Sequence, residues 1–215
     1  MKWIREHKYC LCLLYFAFYF PMFFLLEKVV EPKYIIECSF DRLIPFCKYF
    51  IYPYYFWYIT MPGSLLIFMF KDKEAFLRLC FIMFVGMSVA LGVYWFLPNG
   101  INLRVPFEVN DLASRLCAML QSVDTPTNVC PSIHVSSSVA IDMAVQKSQL
   151  FKNNKLVRVF SFVVMLAVSV STAFVKQHSL WDIAGGFALS FVLMLIYDLV
   201  IQRHRTVKSK KLEIS

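Results

Sequence analysis

Six runs of predominantly apolar residues, near 9–27, 49–70, 77–97, 133–148, 157–176 and 181–201, constrain this chain more than any other feature. About 20 such residues cross the ~30 Å hydrocarbon core of a bilayer as a helix. Inside lipid a segment must satisfy its own backbone hydrogen bonds, which helices do and open strands do not. The runs therefore predict an all-α fold, a polytopic membrane bundle of six transmembrane helices. Composition agrees. Of 215 residues 59% are hydrophobic and 17% charged, against an apolar share of roughly 45–50% in soluble domains. No linker, repeat or low-complexity stretch divides the chain, so residues 1–215 are expected to form one domain with its core at about 77–201.

The fourth run is the least apolar, because it holds Ser136, Ser137, Ser138 and Asp142. A carboxylate and three hydroxyls are costly against lipid, so this helix is expected in the bundle interior. The first run is followed by acidic residues and has no small-residue cleavage site, which makes it an uncleaved span rather than a signal peptide. The segment Glu37 to Lys48 alternates charges with Phe40, Leu43, Ile44 and Phe46, so it fits an amphipathic stretch in the interface and equally an ordinary ordered loop.

Short cytoplasmic loops retain Lys and Arg. With both termini cytoplasmic, fifteen of the 22 basic residues fall on the inner side, among them Lys2, Arg5, Arg78, Lys147, Arg158 and the tail from Arg203 to Lys211. The seven others, including Lys28, Arg104 and Lys176, lie in outer loops that also carry Glu27, Glu31, Asp41, Asp111 and Asp124. The net charge of +8 therefore reads as topology and not as a nucleic-acid groove. The basic tail also suits contact with anionic lipid. Seven cysteines form no CxxC pair and no zinc-ligand spacing; the four in outer segments, Cys38, Cys47, Cys117 and Cys130, are placed where pairing is chemically allowed, with no connectivity specified.

Four polar groups converge on the outer margin: Arg104 after the third run, Ser132 and His134 opening the fourth, Lys176 after the fifth, and His178 with Asp182 opening the sixth. His178 and Asp182 are four apart and share a helix face. The carboxylate then accepts a proton from one imidazole nitrogen and leaves the other free to attack. His134 is placed to protonate a leaving oxygen. Ser132 and the amides opening its helix suit phosphate oxygens, as does the planar fork of Arg104. Lys176 adds a point charge, though a Lys at a span end is more often an anchor. Ser171 is balanced between phosphate binding and close helix packing, Gly185 and Gly186 suit helix contact, and Asp198 suits the inner interface. The constellation describes phosphoryl transfer through a phosphohistidine, with no metal and no cofactor required.

These residues resemble the type 2 phosphatidic acid phosphatase (lipid phosphate phosphatase) superfamily, whose fold is a six-helix transmembrane bundle. Pro131-Ser132-Ile133-His134 is similar to its Pro-Ser-Gly-His motif, with Ile133 in place of glycine. Ser171-Thr172-x5-His178-x3-Asp182 keeps the spacing of Ser-Arg-x5-His-x3-Asp, with Thr172 in place of arginine. The Lys-x6-Arg-Pro motif is degraded: Leu97 stands where the lysine belongs, and Val105 separates Arg104 from Pro106.

The resemblance implies a lipid phosphatase with His178 as nucleophile, Asp182 as its orienting carboxylate and His134 as general acid, and with Arg104 and Ser132 as phosphate ligands. It would hydrolyse a phosphomonoester or diphosphate head group, on a phospholipid or polyprenyl phosphate, at the outer leaflet of a plasma or inner membrane. The missing arginine is also similar to the sphingolipid synthase branch, which implies a head-group phosphotransferase as the alternative. The incomplete motifs leave a non-catalytic lipid-binding or transport homologue as a third reading. Nothing in the sequence specifies an oligomer.

Overall fold

A computed structural model of the protein describes the backbone of residues 6–213 and the side chains of residues 6–201. Lys2, Arg5 and the side chains of the basic tail from Arg203 to Lys211 lie outside what is described. The fold is all-α. Seven α-helices follow in order: α1 (Tyr15–Val29), α2 (Ile51–Lys71), α3 (Lys73–Phe96), α4 (Leu112–Val123), α5 (Ile133–Lys147), α6 (Lys155–Phe174) and α7 (Leu180–Glu213). A 3-10 turn, Lys8–Leu14, runs into α1. Two two-residue strands, β1 (Tyr34–Ile35) and β2 (Asn99–Gly100), pair in parallel, Tyr34 with Asn99 and Ile35 with Gly100.

Among the described residues four helices are long and apolar enough to cross a membrane: Lys8–Val29, Lys73–Phe96, Lys155–Phe174 and Leu180–Ile201. They fit a membrane protein, and they do not by themselves support the six spans expected from the sequence. The physical reasons differ for the two that fall short. α5 has only 15 residues, about 22 Å of helix at 1.5 Å per residue. α2 has 21 residues, but its first half, with Tyr52, Pro53, Tyr54, Tyr55, Trp57 and Tyr58, carries too many polar edges to match hydrocarbon.

The core lies where α3 and α5 meet their neighbours. α3 buries Phe76, Leu79, Met83, Met87 and Tyr94, and α5 is buried along most of its length despite its serines. Most polar groups on α5 have a local answer, Ser138 Oγ and His134 Nε2 being the exceptions among the described residues. Ser137 Oγ donates to the Ile133 carbonyl at 2.6 Å and accepts from Trp57 Nε1 at 2.7 Å. Asp142 accepts from Ser161 Oγ at 2.8 Å and from Gln146 Nε2 at 3.0 Å. This is the interior helix that the serine run predicts, and the Ser136 and Ser137 hydroxyls donate to carbonyls of the preceding turn. α1, α6 and α7 turn Phe18, Phe24, Phe160, Val163, Val192 and Leu199 outward.

At the end of the bundle away from the histidines, Asp198 of α7 takes Arg78 of α3 and Lys147 of α5 in one ion-paired group, tying three helices together. The segment 37–48 forms a loop with one 3-10 turn, Ser39–Arg42, in which Phe40 is exposed and Asp41 buried, with Leu43 exposed just after it. α4, a short amphipathic helix, is capped by Asp111, which accepts from Ser114 N at 2.9 Å. All seven cysteines are free.

Candidate functional site

The two histidines meet at one end of the bundle, where α5 and α7 both begin. Ser132 caps α5, its Oγ accepting from Val135 N at 3.4 Å, and its own amide donates to the Asp182 carbonyl at 3.1 Å. One backbone bond therefore registers the start of α5 against the first turn of α7. Close approach depends on Gly186. A Cβ there would lie 2.8 Å from the Ser132 carbonyl and 3.0 Å from Val135 Cβ, whereas one at Gly185 would meet nothing closer than 3.5 Å. Of the two glycines, Gly186 is the one that contact requires.

His178 Nδ1 lies 3.5 Å from Asp182 Oδ2. That distance is an ion-pair contact rather than a formed hydrogen bond, and Asp182 Oδ2 is already held by the Ser179 amide at 2.8 Å. Catalytic hydrogen bonds are often long before substrate binds. With Nδ1 beside the carboxylate, Nε2 is the ring nitrogen that Asp182 does not engage. The backbone presenting His178 is folded back on itself: the amides of Gln177 and His178 both donate to the Thr172 carbonyl, at 3.0 and 3.2 Å. Thr172 thus acts through its main chain, and its hydroxyl is spent on the Ser169 carbonyl at 2.8 Å.

His134 sits between Tyr54, with ring centroids 4.5 Å apart, and Trp57, at 4.4 Å. Its ring centroid is 5.8 Å from that of His178. Both histidines line a cavity of about 220 Å3. The cavity occupies the cleft between α1 and α2, since α1 packs chiefly on α3. Phe20, Phe24 and Tyr58 in its wall are each about half exposed on the outer surface of the bundle. These half-exposed side chains put the mouth of the cavity on the side of the bundle.

The remaining sequence-selected residues divide. Arg104 reaches the site but is engaged: its Nη1 donates to the Gln121 carbonyl at 3.2 Å, and its Nη2 donates to the Asp124 carbonyl and to Gln177 Oε1, the latter at 2.7 Å. Its Nε has no partner among the described residues. Burial lowers the Arg104 pKa, with Asp124 the largest opposing influence. Ser171 is fully buried and donates to the Val168 carbonyl at 2.6 Å, as a helix-packing residue does. Lys176 is carried away from the cavity. It adopts φ 58°, and its ammonium is taken by the carbonyls of Asp41, at 2.8 Å, and Ile44, at 2.5 Å.

Two residues that the sequence did not single out complete the site. Asp41 is 1% exposed and accepts from Cys38 N at 2.6 Å, Ser179 Oγ at 2.7 Å and Leu180 N at 2.8 Å. It is a cap for α7 supplied from a distant loop. Burial pushes its carboxyl pKa up, but the bonds from Cys38, Leu180 and Ser179 together outweigh burial and hold it below the ordinary value. Asp124 lines the cavity and accepts from Tyr54 OH at 3.0 Å. Burial raises its pKa above the usual carboxylate range, against the opposing pull of His178, Tyr54 and Arg104. For Asp41 the sequence signal is slight, an acid among exposed apolar residues; for Asp124 it is an acid just before a loop rich in Thr, Pro and Asn.

No protein-family model, curated protein or solved structure matches this chain. The functional reading therefore rests on the residues and their geometry.

Proposed function

We propose that the protein is a membrane enzyme that takes a phosphate-containing group from a lipid onto His178 and passes it to water or to an alcohol. The observation that carries this reading is the pairing of two histidines in one laterally open cavity, one of them 3.5 Å from a buried carboxylate four residues on. His178 attacks phosphorus through Nε2. Asp182 orients the ring and stabilises the charge it gains. His134 protonates the leaving oxygen, then removes a proton from the incoming water or alcohol. A cleft walled by Phe20, Phe24 and Tyr58 suits an amphiphile arriving from the bilayer, and a soluble phosphate ester gains nothing from it.

We extend the proposal to topology and family. α2 and α5 complete a six-span bundle of the type 2 phosphatidic acid phosphatase kind: α2 is long enough, and α5 is enclosed by protein, so it needs no lipid-matched surface. Both termini are cytoplasmic and the histidines face the non-cytoplasmic side of a plasma or inner membrane, a reading supported by the fifteen basic residues assigned to the other side.

Hydrolysis of a phosphomonoester or diphosphate is the first reading. A specific observation favours the second, head-group transfer. A phosphate dianion calls for several cations, and here Arg104 is already engaged, Lys176 is committed to loop carbonyls and no Lys or Arg among the described residues lines the cavity. The deciding experiment incubates detergent-purified protein and His178→Ala, with EDTA throughout, with phosphatidate, phosphatidylglycerol phosphate, a polyprenyl diphosphate and a phosphodiester lipid plus diacylglycerol. His178-dependent phosphate release supports the phosphatase, and His178-dependent exchange of head group supports the transferase. Neither, from protein shown to be folded, refutes the enzymatic reading.

A further inference from the structure

Asn128 and Gln177 stand in the wall of the histidine cavity, are 5% and 3% exposed, and each has one side-chain atom without a partner. In both, a charged neighbour settles which end of the amide is which. Asn128 Nδ2 donates to Glu27 Oε1 at 3.0 Å, so the unpartnered atom is its oxygen, an acceptor. Gln177 Oε1 accepts from Arg104 Nη2, so the unpartnered atom is its nitrogen, a donor. Asp124 lies on the same wall, and its carboxylate forms no ion pair among the described residues.

Buried polar atoms without partners are rare because each costs about 1–3 kcal/mol. These two, which His134 Nε2 and His178 Nδ1 join as unpartnered buried atoms on the same cavity, lie beside the Asp124 carboxyl and indicate a ligand that supplies what is missing. Away from the histidines the wall offers acceptors at Asn128 Oδ1 and the Asp124 carboxyl against one donor at Gln177 Nε2, and no Lys or Arg among the described residues lines it to meet a phosphate dianion. A bare phosphate monoester answers neither condition. A phosphodiester lowers the negative charge, and a polar head group beyond it brings donors of its own.

Resting on the enzymatic reading above, we infer that Asp124, Asn128 and Gln177 form a head-group subsite for a phosphodiester lipid whose head group bears hydrogen-bond donors, either hydroxyls or an ammonium. Asp124 and Asn128 Oδ1 accept from the head group, and Gln177 Nε2 donates to an oxygen on it or on the phosphate. The aromatic cleft takes the chains.

The test measures binding of four lipids with identical acyl chains to full-length His178→Ala protein, which keeps the subsite and cannot form the histidine adduct. The probes are phosphatidylethanolamine, phosphatidylglycerol, phosphatidylcholine and phosphatidate. Phosphatidylcholine carries a cation with no hydrogen-bond donor, so it separates charge from donation. The expected result is that phosphatidylethanolamine or phosphatidylglycerol binds about tenfold tighter than either of the others, an effect of the size one charge-assisted hydrogen bond gives. Which of the two wins tells ammonium from hydroxyl.

Asp124→Asn keeps an acceptor for Tyr54, and Asn128→Gly tolerates the φ of 56° that Asn128 adopts. Each variant is expected to erase most of the preference. Equal binding of all four lipids, tightest binding of phosphatidate, or a preference untouched by both variants would overturn the subsite. Wild-type turnover is followed in parallel. Selective binding without His178-dependent turnover retires the enzyme and leaves the subsite standing, and His178-dependent turnover confined to phosphatidate does the reverse.

Discussion

Replacing Asp41 by alanine is expected to release the segment that presents His178, although the two residues share no sequence neighbourhood. The carboxylate accepts three hydrogen bonds, and two of them, from Ser179 Oγ and Leu180 N, cross from the loop to the start of α7. Hydrogen bonds to a charged group contribute about 1.5–3 kcal/mol each, and a buried donor left alone costs a similar amount. Loss of both cross-links therefore weakens the anchorage by roughly 3–6 kcal/mol, before any relaxation of the loop. Water reaching the opened site will recover part of this, so the lower figure is the better expectation. About 3 kcal/mol corresponds to ~10²-fold in the opening equilibrium.

Hydrogen exchange followed by mass spectrometry reads this directly. The peptide covering residues 176–184 should exchange ~10²-fold faster in Asp41→Ala than in the wild type, while peptides from α3 remain protected. Asp41→Asn keeps one acceptor oxygen and turns an NH2 group toward a backbone donor, so it should fall between the two. Turnover, where measured, should lose kcat with little change in KM, because Asp41 does not line the cavity. Unchanged exchange at 176–184 in a folded Asp41→Ala protein would refute the reasoning, since it would mean that the carboxylate anchors nothing.

Other perturbations follow from the same geometry. Gly186→Ala places a Cβ 2.8 Å from the Ser132 carbonyl, so α7 must shift from α5. Overpacking of this kind costs about 1–3 kcal/mol, and a lowered melting temperature with activity reduced further than stability should result. Trp57→Phe removes the donor to Ser137 and part of the stack on His134, and should destabilise by about 1–2 kcal/mol in denaturant titration. Because the Asp41 carboxyl is held below its ordinary pKa, its stabilisation is complete above the unfolded value of about 3.9 and is lost as pH falls through the lower folded value. Exchange at 176–184 should be flat through neutrality and rise only in strong acid, beyond the intrinsic pH dependence of exchange itself. Arg104→Lys keeps the charge but cannot span Gln121, Asp124 and Gln177, so the loop after α4 should loosen even where lipid binding persists.

Much of this arrangement was legible because it is local. Four-residue spacing placed Asp182 beside His178, and the serine run of α5 correctly marked a helix that avoids lipid. What stayed hidden depends on partners far along the chain. Lys176 carries a charge suited to phosphate, yet its left-handed backbone sends the ammonium to carbonyls of the 41–44 loop. Asp41 caps a helix that begins 139 residues later. No periodicity encodes such a pairing. The count of spans differed for a physical reason too: apolar runs show where lipid is tolerated, whereas α5 is enclosed by protein and can be short, and α2 begins in tyrosines suited to an interface.

The central claim is that His178 carries a phosphorus-containing group during the reaction, and trapping that adduct tests it most directly. Protein mixed with lipid substrate is quenched in alkali within the first turnovers, digested, and the peptide containing His178 is weighed. The account predicts an acid-labile adduct on His178, diminished in His134→Gln, which lacks the acid that protonates the leaving oxygen, and absent from Asp182→Ala. Turnover that proceeds with no adduct on His178, or that survives His178→Ala, would contradict it.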